Sequence, residues 1–191
     1  MLTIFTIGHS TRTIEEFLKL LQQVAVDHLV DVRAIPRSRK NPQFNSINLQ
    51  KALSLVGIEY RHIAALGGLR HRLADRTKPP NDFWHNRSFQ NYADYAETSA
   101  FQLGLIELRE IALDHCCAIM CAEALWWRCH RRIIADYLLA DGITVAHIMG
   151  LGKIDLAKLT PGAQQLPGGR LRYPTGEKPP AEGSSGSIKS P

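Results

Sequence analysis

The residues best suited to chemistry lie in one short stretch, from Cys121 to Arg131, which joins a predicted strand to a predicted helix. A thiol near the start of a helix has a lowered pKa, and the thiolate is the nucleophilic form of cysteine. Cys129 or Cys121 could therefore act as a nucleophile. Glu123 and His130 could transfer protons. The alternatives are an ion pair for Glu123 and a hydrogen-bonded core position for His130.

The arginines of this stretch favour a negatively charged ligand. Arg128 and Arg131 can each hold a phosphate or carboxylate with two parallel hydrogen bonds. The free N–H groups and the dipole of a helix start also attract anions. We expect Arg131 to anchor an anion, because a cation in the first turn of a helix is otherwise unfavourable. The alternative is an internal pair between Arg131 and Glu123.

Two more polar segments follow predicted strands. The Gly8-His9-Ser10 segment allows a close backbone approach and adds two polar side chains. Asp31 and Arg33 alternate outward from the next strand, and more cations follow; a solvated basic loop is the alternative interpretation. The candidate catalytic residues are Asp31, Glu123, Cys129 and His130. The candidate ligand-binding residues are Gly8, His9, Ser10, Arg33, Arg37, Ser38, Arg128 and Arg131.

The cysteine pattern predicts reduced thiols and no metal. The four cysteines fall within residues 116–129, so they cannot staple distant loops as disulfides. Structural zinc sites usually show ligand pairs at short spacing, and Cys121 with Cys129-His130 has no second pair of that kind. The chain also lacks a Walker phosphate loop, a G-x-G-x-x-G fingerprint and a G-x-S-x-G elbow. We therefore predict no cofactor.

Alternating strands and helices must position these segments. Short apolar runs predict strands at residues 2–7, 28–32, 58–63, 116–121 and 143–148. Helical periodicity predicts helices after Thr13, around residues 49–56, from Ser88 through Ile106, and at residues 129–140. The pattern indicates an α/β domain with a mostly parallel sheet of about five strands and helices on both faces. Ligands bind such sheets at the carboxyl ends of the strands, where all the candidate segments lie.

Composition narrows the class of protein. At 191 residues the chain suits one domain, which we assign to residues 1–174, with a Pro-, Gly- and Ser-rich flexible tail at 175–191. The net charge of +5 favours anionic partners. No apolar run is long enough to span a bilayer, and the N-terminus does not resemble a secretory signal. We expect a cytoplasmic protein that does not bind membranes.

Taken together, these motifs are specific enough to resemble a known family. They match the domain of unknown function 488 family of prokaryotes, from about Thr3 to Tyr173. The resemblance implies an α/β fold and a site shared by the motifs, and it implies no reaction. The matching segments are Thr6–Thr11, Leu29–Arg33, Pro36–Arg39, Asn41–Phe44, Gly57–Tyr60, Leu66–Gly68, Cys121–Glu123 and Cys129–Arg131.

Three functions are compatible with the sequence. The first is an anion-binding protein whose partner is a phosphate-bearing small molecule, a nucleotide or nucleic acid, with the site at the strand ends. The second is a non-catalytic nucleic-acid-binding module that uses the basic residues 37–40 and 70–78. The third is a thiol-dependent enzyme using Cys129 or Cys121, although the spacing to Arg128 is one residue too long for a C-x5-R phosphatase loop.

Overall fold

Six strands form the central sheet of the computed structural model, which describes residues 2–72 and 81–175. In chain order the strands are β1 (Thr3–Gly8), β2 (His28–Asp31), β3 (Glu59–His62), β4 (Cys117–Cys121), β5 (Thr144–Gly150) and β6 (Lys153–Leu156). Across the sheet the order is β3-β2-β4-β1-β5-β6, with every pairing parallel except that between β5 and β6. The predicted α/β domain with a mostly parallel sheet is confirmed.

Helices cover both faces of this sheet, as predicted. They are α1 (Ile14–Gln22), α2 (Ser46–Ser54), α3 (Arg87–Ala96), α4 (Ser99–Asp114) and α5 (Arg131–Ala140). Apolar side chains of α1 and α2 form one core, and those of α3, α4 and α5 form the other. The predicted capping box is present, with the Thr13 hydroxyl accepting from the Glu16 amide and the Glu16 carboxylate accepting from the Thr13 amide.

The alternation of side chains along β4 decides where its thiol points. Every residue of this central strand is buried, with Ile119 in the α3–α5 core and Met120 in the α1–α2 core. By the same alternation Cys121 faces α3–α5. In register, Cys121 pairs with Gly8 of β1, and Met120 pairs with Asp31 of β2. The carboxyl ends of three neighbouring strands therefore lie at one edge.

Two predicted helices have different bounds. The helix predicted from Ser88 is two helices, because the Thr98 hydroxyl accepts a hydrogen bond from the Phe101 amide and caps a new helix there. Asn86, rather than Ser88, caps α3. The helix predicted to start at Cys129 starts at Arg131, since Cys129 has extended backbone angles after a single 3-10 turn.

The chain after β5 adds elements that were not predicted. Strand β6 and the hairpin of β7 (Gln164–Leu166) and β8 (Arg170–Arg172) are too short to show a clear period. Leu171 and Tyr173 are buried, so this segment packs on the domain. The predicted tail beyond Thr175 lies outside the described residues, as do residues 73–78 of the basic segment 70–78. None of the described helices has the length and apolar character needed to cross a membrane.

Candidate functional site

A cavity of about 790 Å³ opens at the carboxyl ends of β1, β2 and β4. Small-molecule sites typically have volumes of about 300–1,000 Å³. Most of the predicted site residues line it, whereas Gly8, Asp31 and Arg131 do not. The predicted residues in the lining are His9, Ser10, Arg33, Arg37, Ser38, Glu123, Arg128, Cys129 and His130. The loops that follow the three strands therefore meet around one space.

Two cysteines and a histidine meet in the wall of this cavity. The Nδ1 atom of His130 lies 3.6 Å from the sulfur of Cys129 and 3.9 Å from the sulfur of Cys121. The other ring nitrogen, Nε2, lies 2.9 Å from the carbonyl oxygen of Val32, to which it must donate. When the ring is neutral, Nδ1 therefore faces both sulfurs with its lone pair. This group can take a proton from a thiol or hold a metal ion.

The two thiols differ in acidity. Burial opposes ionisation of Cys129, but a hydrogen bond from Cys121 and the charges of His130 and Arg131 outweigh it and hold the thiol pKa well below its usual value. The hydrogen bond to Cys129, followed by burial, raises the pKa of Cys121 well above its usual value. Of the two thiols, Cys129 is therefore the more acidic.

Arg131 lies behind the thiols and not in the cavity. Its side chain is 1% exposed, and its Nε donates to the Cys129 sulfur over 3.4 Å. One terminal nitrogen donates to the main-chain carbonyl of Glu123 over 2.5 Å, and the other to the Thr6 hydroxyl. The carboxylate of Glu123 instead accepts from the Leu125 amide. The group next to the Arg131 Nε is therefore the Cys129 sulfur.

Asp31 neutralises the buried Arg33. Asp31 is 0% exposed and Arg33 5% exposed, and two guanidinium nitrogens donate to the carboxylate at 2.9 and 2.6 Å. The hydroxyl of Tyr60 donates to the same carboxylate over 2.9 Å. Asp31 thus holds Arg33 in place, and the charge of Arg33 is already balanced within the protein.

His9 is a fixed, neutral member of the lining. Its ring stacks on Phe44 with the centroids 4.2 Å apart, and its Nδ1 donates to the carbonyl of Ser10. Burial lowers the pKa of His9 to about 4. At neutral pH its Nε2 is an acceptor, 3.4 Å from the nearest Arg33 nitrogen.

Two arginines of the lining are free to bind a ligand. Arg37 follows β2 and Arg128 follows β4, and both side chains are exposed. Within residues 2–72 and 81–175, neither guanidinium has a hydrogen bond or an ion pair. The exposed carboxylate of Glu123 lies in the same lining. Counting only contacts with the described residues, the cavity therefore offers two unpaired cations and one carboxylate in the same lining as the thiol–imidazole group.

The family match is consistent with this geometry. A family model described as domain of unknown function DUF488 matches residues 13–138. The chain belongs to the DUF488 family. The match contains β2, β4 and the 121–131 stretch, whereas Gly8-His9-Ser10 precedes it. No curated protein and no solved structure matches the chain.

The cavity of this DUF488 domain has further walls that the sequence reasoning assigned elsewhere. Phe89 and Tyr92 lie in the helix predicted from Ser88, and both line the cavity; the Tyr92 ring lies 5.0 Å from that of His130. Gly68, interpreted as part of a turn, lies so close to His130 that a Cβ there would be 2.9 Å from Nδ1. A glycine pair a few residues after a predicted strand was the available signal.

Gly8 lets two site loops of the DUF488 domain touch. The amides of His9 and Ser10 donate to the carbonyls of Cys121 and Ala122 over 2.9 and 3.0 Å. A Cβ at Gly8 would overlap the main-chain carbonyl of Glu123. This carbonyl follows the end of β4 and cannot move unless that end of the strand moves too. Gly8 therefore shapes the site although it does not line the cavity.

We predict that Gly8→Ala lowers the free energy of unfolding by about 1–3 kcal/mol, the usual cost of overpacking. Urea unfolding measures this loss. Gly150→Ala is the matched control, because a Cβ at Gly150 meets nothing within 4 Å. Equal stability of the two variants would show that the β1 and β4 loops do not make this close approach.

Proposed function

We propose that this DUF488 domain binds a phosphate-bearing small molecule, of about the size of a nucleotide, in the strand-end cavity. The observation that carries the proposal is the pair of arginines, Arg37 and Arg128, that line the cavity without partners among the described residues. Arginine binds phosphate through two parallel hydrogen bonds. Arg33 contributes no free charge, because Asp31 balances it.

The shape of the site favours a small molecule over a nucleic-acid strand. The cavity is concave, and its apolar wall includes Phe89, Tyr92 and Ile35, which suit a planar ring. Part of the basic segment on which the nucleic-acid-binding hypothesis depended, residues 73–78, lies outside the described residues. A nucleotide could place its phosphate at Arg37 and Arg128 and its base against the aromatic side chains.

Thermal unfolding with and without ligand tests the proposal. Inorganic phosphate and a panel of nucleoside mono- and diphosphates should raise the melting temperature of the full chain by mass action, the nucleotides more than phosphate. Arg37→Ala or Arg128→Ala should weaken binding about tenfold or more, since a hydrogen bond to a charged group contributes about 1.5–3 kcal/mol.

Arg39→Ala is the matched control, because Arg39 lies in the same loop as Arg37 and is exposed but does not line the cavity. A double Arg37→Ala, Arg128→Ala variant that responds to nucleotides as the native chain does would contradict the proposal. Salt-dependent binding of an oligonucleotide that mononucleotides do not displace would instead favour the nucleic-acid-binding module.

A further inference from the structure

We infer that Cys121, Cys129 and His130 form a zinc site that opens into the cavity. The two sulfurs and an imidazole nitrogen lie within 4.8 Å of one another. Both thiols are buried, and all three residues line the cavity. Thiolate and imidazole ligands together are the donor set that zinc prefers among the common divalent metals.

The separations fit one tetrahedral ion. With zinc–sulfur bonds of about 2.3 Å and zinc–nitrogen bonds of about 2.0–2.1 Å, sulfur and nitrogen ligands lie about 3.6 Å apart. The Nδ1 atom of His130 lies 3.6 Å from the Cys129 sulfur and 3.9 Å from the Cys121 sulfur. Both sulfur–nitrogen separations are therefore close to those around one zinc ion, and the two sulfurs lie within 4.8 Å of each other.

The neighbours of the three ligands have the roles of outer-shell groups. Metal-bound histidines generally donate their other ring nitrogen to a carbonyl or carboxylate, as His130 Nε2 does to the Val32 carbonyl over 2.9 Å. The Arg131 Nε donates to the Cys129 sulfur over 3.4 Å, the kind of bond that a metal-bound thiolate accepts. Two thiolates balance the charge of Zn²⁺, so the buried Arg131 meets no net positive centre.

Cys121 lies close to Cys129 and His130 in space although it is distant from them in the sequence. Seven residues separate Cys121 from Cys129, a longer interval than in paired zinc ligands. Cys121 ends β4, and the chain then turns back through a 3-10 turn before α5. That return brings Cys129 and His130 over the end of the strand that they follow.

Three protein ligands leave a fourth position for water or a substrate group, which is the arrangement of catalytic rather than structural zinc. Zinc lowers the pKa of a bound water to about 7. Glu123, in the same lining, is the nearby carboxylate that could accept its proton. The zinc site stands independently of phosphate binding, because none of its ligands is Arg37 or Arg128.

Cobalt binding to the full chain tests the inference. After treatment with a chelator and a reductant, one Co²⁺ per chain should bind and show thiolate-to-cobalt charge-transfer absorption, which Zn²⁺ should abolish by displacement. Cys121→Ser, Cys129→Ser and His130→Ala should each bind the metal more than a hundredfold more weakly, a larger loss than for outer-shell partners. At a Co²⁺ concentration that just saturates the native chain, each variant should therefore show little of this absorption. Cys116→Ser is the matched control and should bind as the native chain does.

A second measurement on the native chain avoids any folding defect of the variants. Zn²⁺ should protect Cys121 and Cys129, and not Cys116, from alkylation mapped by mass spectrometry. Equal alkylation of Cys129 with and without Zn²⁺, or cobalt binding without charge-transfer absorption, would overturn the zinc site and leave Cys129 as a free nucleophile. Nucleotide binding is measured separately through Arg37 and Arg128, so failure of one proposal is distinct from failure of the other.

Discussion

Asp31→Ala should lower the free energy of unfolding by about 3–5 kcal/mol, because it leaves a buried guanidinium without its carboxylate. Asp31 is 0% exposed and Arg33 5% exposed, so water cannot replace the lost partner. The Tyr60 hydroxyl also loses its acceptor. Chemical denaturation of the two proteins measures the difference directly.

Two controls separate burial from the mere loss of an ion pair. Glu107→Ala breaks the exposed pair with Arg61, whose side chains are 36% and 59% exposed, and should cost at most about 1 kcal/mol. The double variant Asp31→Ala, Arg33→Met removes both charges and should recover part of the stability lost in the single variant. A loss below 1 kcal/mol in Asp31→Ala alone would refute the structural role of this pair.

Acid should destabilise the protein through His147 as the pH falls from about 6.5 toward about 4. Burial, together with the charge of Arg131, lowers the pKa of His147 to about 4, and the Thr6 hydroxyl lies 2.8 Å from its Nδ1. The unfolded chain has a histidine pKa of about 6.5. Between these values the unfolded state binds a proton that the folded state does not, so stability falls as the pH falls.

The expected loss between pH 7.5 and pH 4.5 is roughly 2–3 kcal/mol from this residue. His147→Asn keeps an acceptor for the Thr6 hydroxyl and cannot titrate, so its stability should depend less on pH by that amount, whatever its stability at neutral pH. His85→Asn, at an exposed histidine, should leave the pH dependence unchanged. Identical pH profiles for the native chain and His147→Asn would contradict the prediction.

The sequence by itself predicted the sheet, because the burial of a strand or helix shows in its own residues. The run that became β4 is apolar at every position, as a central parallel strand must be, and the Thr13–Glu16 capping box marks the start of α1 locally. The edge strand β6 and the β7–β8 hairpin escaped prediction, since three or four half-exposed residues carry too little pattern.

That residues following several strands would be neighbours was also predictable. Parallel strands end at one edge of a sheet, so polar residues that follow several strands must be neighbours. On this basis the sequence predicted that His9, Arg37, Glu123 and Cys129 lie together, and all of them line the cavity. The family match to residues 13–138 covers the last three and not His9.

Which of the predicted site residues pair within the protein and which are free to meet a ligand depends on the tertiary structure. The sequence shows that Asp31 and Arg33 lie two residues apart, but only the packed structure shows both buried and joined, so that the charge of Arg33 in the cavity wall is already balanced. Arg131 was predicted to hold a ligand from the start of a helix. The rotation of α5 against the sheet instead turns its guanidinium toward the Glu123 carbonyl and the Cys129 sulfur.

The meeting of Cys121, Cys129 and His130 is the feature that only the fold decides. Strand alternation places the Cys121 thiol on the α5 side, and the return of the chain places Cys129 and His130 against it. The Val32 carbonyl, 98 residues before His130, then orients the imidazole. Residue types and spacing state which groups are available for chemistry, whereas distances between atoms far apart in the chain come from packing.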